Sequence, residues 1–277
     1  MTKPHTRRQY SKRFNLRSAF AQAIGILFVV YVFYLFASGD VQWTKVWAFL
    51  FDSRILVGVL YTIVYSVLAM VAGILGGLVL VVAIMSHNPV WERLARWYIA
   101  IFRALPLIVL LLIFYNIAIF LPHLWLGIPG TDIGYQFSTN KIITPFLAAV
   151  IGLALHEAAY MAEIIRAGIN SVDAGQVRAA RSIGMTFAES LRWIVFPQAI
   201  RIIIPPTANE FVSMLKNTSL VVVIAGNDLL TVSKTLYSQN FLTMELLFVA
   251  SIWYLVMVLL STAATDYLEK RYGKGFN

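Results

Sequence analysis

The residues that could do chemistry in this chain are few, and most of them sit inside apolar runs. Glu157 lies half-way along one such run, and Glu210, Lys216, Asn217, Thr218 and Ser219 follow the Pro205-Pro206 pair in another. His156-Glu157-Ala158-Ala159-Tyr160 is one residue short of the His-Glu-x-x-His helix of zinc proteases. Tyr160 occupies the place of the second histidine, and His5, His87 and His123 lie in the tail or in loops, so an intramembrane zinc enzyme lacks its ligands. There is no Gly-x-Ser-x-Gly nucleophile elbow, no Gly-x-x-x-x-Gly-Lys-Ser/Thr phosphate loop and no cysteine. What remains is the chemistry of reversible binding. Lys216 can face a carboxylate, Glu210 or Glu157 can face a cation, and Asn217, Thr218 and Ser219 can hydrogen-bond to either. A charged residue at mid-helix in a bilayer costs about 2.5–3.5 kcal/mol, so each one needs a reason to be there. Pairing of Glu210 with Lys216 would be the structural reason. Glu163 and Arg166, three apart, are expected to pair on their own helix.

The elements that hold these residues are set by composition. Apolar residues form 60% of the 277 and charged residues 13%, against about 45–50% and 25% in soluble domains. That excludes an ordinary soluble enzyme and a disordered chain, and predicts an all-α integral membrane protein. About 20 apolar residues span a bilayer. Six segments meet this: 19–37, 55–85, 98–121, 142–165, 198–225 and 246–264. The net charge of +9 reads as basic cytoplasmic loops rather than a nucleic-acid surface. Lys3, Arg7, Arg8, Lys12, Arg13 and Arg17 hold the amino end inside, and Lys270, Arg271 and Lys274 the carboxyl end. Arg93, Arg96, Arg178, Arg181 and Arg192 agree, which gives six spans with both termini cytoplasmic. The first apolar run also fits a cleavable signal peptide, and that reading leaves the other five spans oriented the same way. Pro205-Pro206 is expected to break the fifth span and expose backbone carbonyls. Gly73, Gly76 and Gly77 offer a close-packing face.

Residues 171–193, between the fourth and fifth spans, are more than a linker. Asp173 with Gln176 is an N-cap pair, so a helix should run to Ile183 and stop at Gly184. Thr186-Phe187-Ala188-Glu189 is a capping box that should start a second helix, with Pro197 marking its exit. Two short helices at a glycine turn make a compact knob. It is either a loop folded on itself or a docking element.

Spacing alone leaves the two readings even, and a family resemblance favours docking. Ala179-Ala180, Gly184 and Ile194-Val195-Phe196-Pro197 resemble the EAA loop of permease subunits in binding-protein-dependent ABC importers. Arg103-Ala104-Leu105-Pro106-Leu107, the stretch from Ala158 to Ile169, Phe196-Pro197-Gln198-Ala199 and Leu215-Lys216-Asn217-Thr218-Ser219-Leu220 resemble the polar amino-acid branch of that family, in its order. The resemblance covers about residues 55–268. It implies a five-helix importer core over 55–268, preceded by a tail, an extra transmembrane helix and an outside loop in 1–54, and followed by a short tail, 269–277. It implies ATP-driven uptake of a polar amino acid by alternating access across a bacterial cytoplasmic membrane, rather than an ion channel or an enzyme. The implied substrate path is Glu157, Glu210, Lys216, Asn217, Thr218 and Ser219. The implied coupling loop includes Arg178, Ala179, Ala180, Gly184 and Glu189. The implied partners are ATP-binding cassette ATPase subunits that carry the ATP and Mg, an extracytoplasmic amino-acid-binding protein, a second permease subunit and membrane lipid. No cofactor is expected on this chain. Arg178 stands where the family usually has Glu, and Ala104-Leu105 where it often has a small or polar pair.

Overall fold

A computed structural model describes residues 16–37, 39, 41–86, 88–127 and 134–272. The basic tail up to Arg13, His5, His87 and Lys274 lie outside them. The chain divides into two units, 1–43 and 44–277. In the first, the apolar run near the amino end forms helix α1, Leu16–Ala37.

The second unit is mostly helical. Helix α2, Trp43–Leu50, leads into α3, Ser53–Met85, which Asp52 caps by accepting from the Arg54 N–H at 2.9 Å. Helix α7, Pro145–Asn170, starts at Thr144 and packs along α3 as the main helix pair of the fold. Glycine makes that pairing close. A Cβ on Gly73, Gly76 or Gly77 would run into Glu157, Ala158 or Met161 of α7. Bilayer lipid is as apolar as leucine, so such close packing, more than exclusion from water, holds membrane helices together.

The third apolar run is not one straight span. It forms α4, Pro89–Ala104, and α5, Leu107–Tyr115, which meet at 103°. Pro106 disfavours the helical region for Leu105, which sits at φ −78°, ψ 134°. Helix α5 still reaches the core, where Leu107 and Leu111 join Tyr65, Ala149, Leu153 and Met214.

The fold is also not wholly α. After α5 and a turn of 3-10 helix, β1 (His123–Gly127) pairs antiparallel with β2 (Gly134–Ser138), with His123 opposite Ser138. A short helix α6, Thr139–Ile142, returns the chain to α7.

Beyond α7 come α8 (Ala174–Ser182), α9 (Phe187–Ser190) and a π turn (Leu191–Val195) that runs directly into α10, Phe196–Asn217. The second helix of the knob was expected to run through Trp193 and Ile194 into the next span, and it does, but Pro197 does not mark its exit. Instead the Phe196 N–H reaches back five residues to the Leu191 carbonyl, and Pro197 falls in the first turn of α10, where its missing N–H is tolerated. Pro205 and Pro206 also lie inside α10 and do not break it. The helix gives way later, to 3-10 turns over Thr218–Ile224 and a left-handed Ala225. Helix α11, Leu229–Asn240, then occupies a stretch expected to be loop, and α12, Thr243–Tyr272, completes the unit.

Among the described residues three helices are long and apolar enough to cross a membrane. The number rises to five if each bent pair counts as one span.

Candidate translocation path and coupling knob

Glu157 is set by the α3–α7 crossing. Its side chain lies over Gly73 and is only 2% exposed, and Oε1 has no hydrogen-bond partner among the described residues. Glu210, half-buried on α10, lies within electrostatic reach of it. The structure therefore brings these two carboxylates together. Neither has an ion pair among the described residues, where the pairs are Asp52–Arg54, Glu92–Arg96 and Glu163–Arg166. The Glu163–Arg166 pair, at 2.6 Å, is the one expected from spacing. The Glu210–Lys216 pair does not form, and Lys216 is exposed.

Asn217 is half-buried at the end of α10. Thr218 is buried and its hydroxyl donates to the Leu215 carbonyl at 2.7 Å, while Ser219 donates to the Lys216 carbonyl at 2.6 Å. Both hydroxyl protons are thus committed to the helix, and the oxygens keep acceptor capacity. The irregular backbone expected at Pro205-Pro206 appears instead around Thr218–Asn227, where Ala225 and Asn227 have positive φ. The turn around the two prolines stays helical, and the Thr207 hydroxyl donates to the Ile203 carbonyl at 2.8 Å.

A buried network next to this zone was not anticipated. Asp228 caps α11, accepting from the Leu230 N–H at 3.0 Å, the Thr231 N–H at 3.4 Å and the Thr231 hydroxyl. The Tyr254 hydroxyl donates to Asp228 from α12 at 3.4 Å. From α3, Thr62 accepts from the Leu229 N–H at 3.1 Å, and the Tyr65 hydroxyl donates to the Gly226 carbonyl. Asp228 followed three residues on by Thr231 was the available cue, a plain N-cap signal. At the former zinc-like motif, the Arg103 guanidinium lies 5.3 Å over the ring of Tyr160.

The knob forms as its local signals dictate. Asp173 accepts from the Gly175 and Gln176 N–H groups at 2.6 and 3.2 Å. Helix α8 ends in a Schellman motif: the Met185 N–H bonds the Ala180 carbonyl and the Gly184 N–H bonds the Arg181 carbonyl. Gly184 takes φ +87° there. The Thr186–Glu189 capping box is complete in both directions. Hydrogen bonds from the Thr186 N–H and hydroxyl hold the Glu189 carboxyl below its ordinary range. Gln198 of α10 donates to Gln176 of α8 at 2.5 Å and ties the knob to the span. Ala180 is buried, whereas Arg178, Ala179, Gly184 and Glu189 are exposed.

Residues 73–274 match the family described as binding-protein-dependent transport system inner membrane component. The chain is 41% identical over 234 residues to the arginine transport system permease protein ArgU of Corynebacterium glutamicum, covering 84% of this chain and 72% of that one. It is 33% identical over 214 residues to the glutamate/aspartate import permease protein GltK of Escherichia coli, covering 77% and 91%. Among solved structures it resembles an amino acid ABC transporter crystallised with histidines, at 35% identity and TM-score 0.68, covering 79% and 94%. The MetNI methionine transporter, at 16% identity and TM-score 0.55, shares the fold. With a family model covering most of its length and the architecture of such permeases, the chain belongs to the binding-protein-dependent transport system inner membrane component family.

Proposed function

We propose that this chain is the permease of an importer for cationic amino acids, and that Glu157 and Glu210 receive the positive side chain. That it is the permease subunit of an amino-acid ABC importer, with ATP hydrolysis on a separate subunit, follows from its family and relatives. The charge preference rests on one observation: a buried carboxylate with an unpartnered oxygen lies within electrostatic reach of a second carboxylate, and neither has an ion pair among the described residues. A buried unpaired charge is costly, so a visiting cation would be stabilised where a resident one is missing. The arginine transport relative supports the same reading. Lys216, exposed in the last turn of α10, would meet the substrate carboxylate, with Asn217, Thr218 and Ser219 as neutral acceptors and donors around it.

In this reading the chain crosses the cytoplasmic membrane of a bacterium six times, α1 included, with both ends and the knob inside. The bent pairs α4–α5 and α10–α11 each count as one crossing. Residues 55–268 form the permease core with the knob at 171–193. Two permease subunits line one path, an extracytoplasmic binding protein delivers the amino acid, and ATPase subunits holding ATP and Mg dock on the knob at Arg178, Ala179, Ala180, Gly184 and Glu189. ATP binding and hydrolysis rock the knob and, through Gln176–Gln198, the α10 wall of the path.

The test is uptake per assembled complex, with the ATPase and binding protein reconstituted. Glu157→Gln and Glu210→Gln should assemble normally and lose uptake of arginine or lysine about tenfold or more. Wild-type preference for a neutral or acidic amino acid, or normal uptake by both variants, would overturn the assignment. Mass spectrometry of chains that co-purify with the complex identifies the partners.

A further inference from the structure

The backbone between α10 and α11 is strained. Ala225 and Asn227 take positive φ, 53° and 62°, a conformation that residues with a Cβ hold only when their surroundings impose it. Gly226 between them has no room for a side chain, since a Cβ there would overlap Val221. Strain of this kind persists where neighbouring contacts over-determine the chain, and it gathers at ligand clamps and switch regions. The contacts here come from fully buried polar residues, Thr62, Thr218 and Asp228.

Asp228 does more than cap α11. Its Oδ1 accepts from the Thr231 N–H and hydroxyl, and its Oδ2 from the Leu230 N–H and the Tyr254 hydroxyl. Four bonds, two on each oxygen, are what a carboxylate takes, so Asp228 is satisfied where Glu157 keeps an unpartnered Oε1. The N–H groups that open α11 are complete without Tyr254. Those of Leu229, Leu230, Thr231 and Val232 bond the Thr62 hydroxyl oxygen, the Asp228 side chain twice and the Asp228 carbonyl. What the Tyr254 hydroxyl adds is convergence. It lies within hydrogen-bond reach of Thr62 on α3 and of Thr218, where α10 gives way, as well as of Asp228. One oxygen on α12 thus gathers three other segments. The Tyr65 hydroxyl, one turn beyond Thr62, also ties α3 to the Gly226 carbonyl.

We infer that Tyr254 is a positioning residue for the substrate path: its hydroxyl, with Asp228 and Thr62, locks the α10–α11 break so that Thr218 and its neighbours keep one geometry toward the amino acid. Tyr254 acts through Thr218 and the backbone of 218–228, and does not itself meet the substrate. Helix packing accounts for the cap of α11. It does not account for a hydroxyl brought from α12 to Thr218, whose own proton already has a partner in the Leu215 carbonyl. Buried networks with every member satisfied specify a single arrangement, which is what a binding path needs of its walls. The inference rests on Thr218 lining the path, and not on the charge of the amino acid carried.

The experiment compares the whole transporter, ATPase included, in nanodiscs as wild type and as Tyr254→Phe, which keeps the ring and removes one oxygen. Amide hydrogen exchange over 218–228 should quicken about tenfold in the variant, with exchange over 171–193 unchanged. Binding of radiolabelled arginine, glutamine and glutamate is measured in turn, and the amino acid that the wild type retains is used for the variants. Its Kd should rise about fivefold or more in Tyr254→Phe, with the amount of assembled transporter unchanged. Asp228→Asn should weaken binding as well, and adding Tyr254→Phe to it should have little further effect, because the two act through one contact. Tyr98→Phe removes a hydroxyl bond to the Leu155 carbonyl outside the network and should change neither readout. Unchanged exchange in Tyr254→Phe overturns the lock, and faster exchange with an unchanged Kd overturns the positioning role. Retention of glutamine or glutamate in place of arginine by the wild type overturns the charge preference proposed above and leaves this inference standing. Retention of none of the three removes Thr218 from a binding path and overturns it.

Discussion

A carboxylate inside a bilayer has to be neutralised, paired or given a ligand, and packing narrows the choice at Glu157. Its stem is clamped between helices by Gly73, where any Cβ would overlap Glu157 Cβ and Cγ. Gly73→Ala should therefore destabilise the complex by about 1–3 kcal/mol through overpacking. Glu157→Ala in the same chain should recover part of that loss, because Cγ is removed and Cβ is not. Thermal unfolding of the purified complex measures both. Equal stability of Gly73→Ala and wild type would show that α3 and α7 are not in close contact. Lys216 poses the opposite question, since it is exposed and has no ion pair among the described residues. Lys216→Ala should leave assembly intact and reduce uptake per complex, whereas lower assembly with normal uptake would make it a packing residue. At this scale the sequence carried the identities and the local pairing, but not the distant ones. Glu163–Arg166 was legible because three residues on one helix fix its distance. Glu210–Lys216 was not, because Glu210 is also within reach of α7, which no local spacing reveals.

Elements held by local signals behaved as those signals require, and the knob is the clearest case. Asp173, Gly184 and the Thr186–Glu189 box each act within a few residues, so no tertiary knowledge is needed to place two helices and the turn between them. Gly184 has the conformation that a β-branched residue tolerates least, at φ +87° with open space around it. The cost of Gly184→Val is therefore backbone strain and not a clash, about 1–2 kcal/mol. Its expected effect is a changed angle between α8 and α9, with ATP hydrolysis no longer coupled to uptake. Wild-type coupling in that variant would remove the knob as the docking element. Glu189 gives a pH signature. Its carboxyl is held below the ordinary range, so the charged form stabilises the box. That contribution is complete above the usual glutamate range, near pH 4, and is lost as pH falls through the lowered value. The difference in Tm between wild type and Glu189→Gln should be present at neutral pH and close as the pH falls below that range. Elements held by distant contacts were harder to read. The α4–α5 bend had its signal in Pro106, but hydropathy alone runs through it. Pro205-Pro206 misled in the other direction, because the flanking turns of α10 keep the helix together. Helix α11 mixes polar and apolar residues over 229–240, and depends on Asp228, Thr62 and Tyr254 from three separate segments.

For the whole molecule, the direction in which the chain runs through the membrane decides which side the knob faces. Composition settles that this is a membrane chain, and the family settles the class of machine. The orientation rests on Lys and Arg in short loops, several of which lie outside the described residues or at the ends of bent helices. The proposed topology takes each bent pair as one crossing and adds α1, for six crossings with both ends on one side. The count is sensitive to α4–α5: a 103° bend read as a re-entrant loop would return the chain to its starting face and invert everything that follows. The absence of cysteine makes this directly measurable. Gln136→Cys, on the hairpin strand β2, should react with an impermeant maleimide from outside intact cells. Ser182→Cys, at the end of α8, should react only after the membrane is opened. The single helix α7 lies between them, so opposite sides are required by one crossing. Asn240→Cys, at the end of α11, should label from outside if α10–α11 is one bent span and from inside if it folds back. Labelling of positions 136 and 182 from the same face would remove α7 as a span. Labelling of position 182 from outside would move the knob away from cytoplasmic ATP and with it the coupling mechanism.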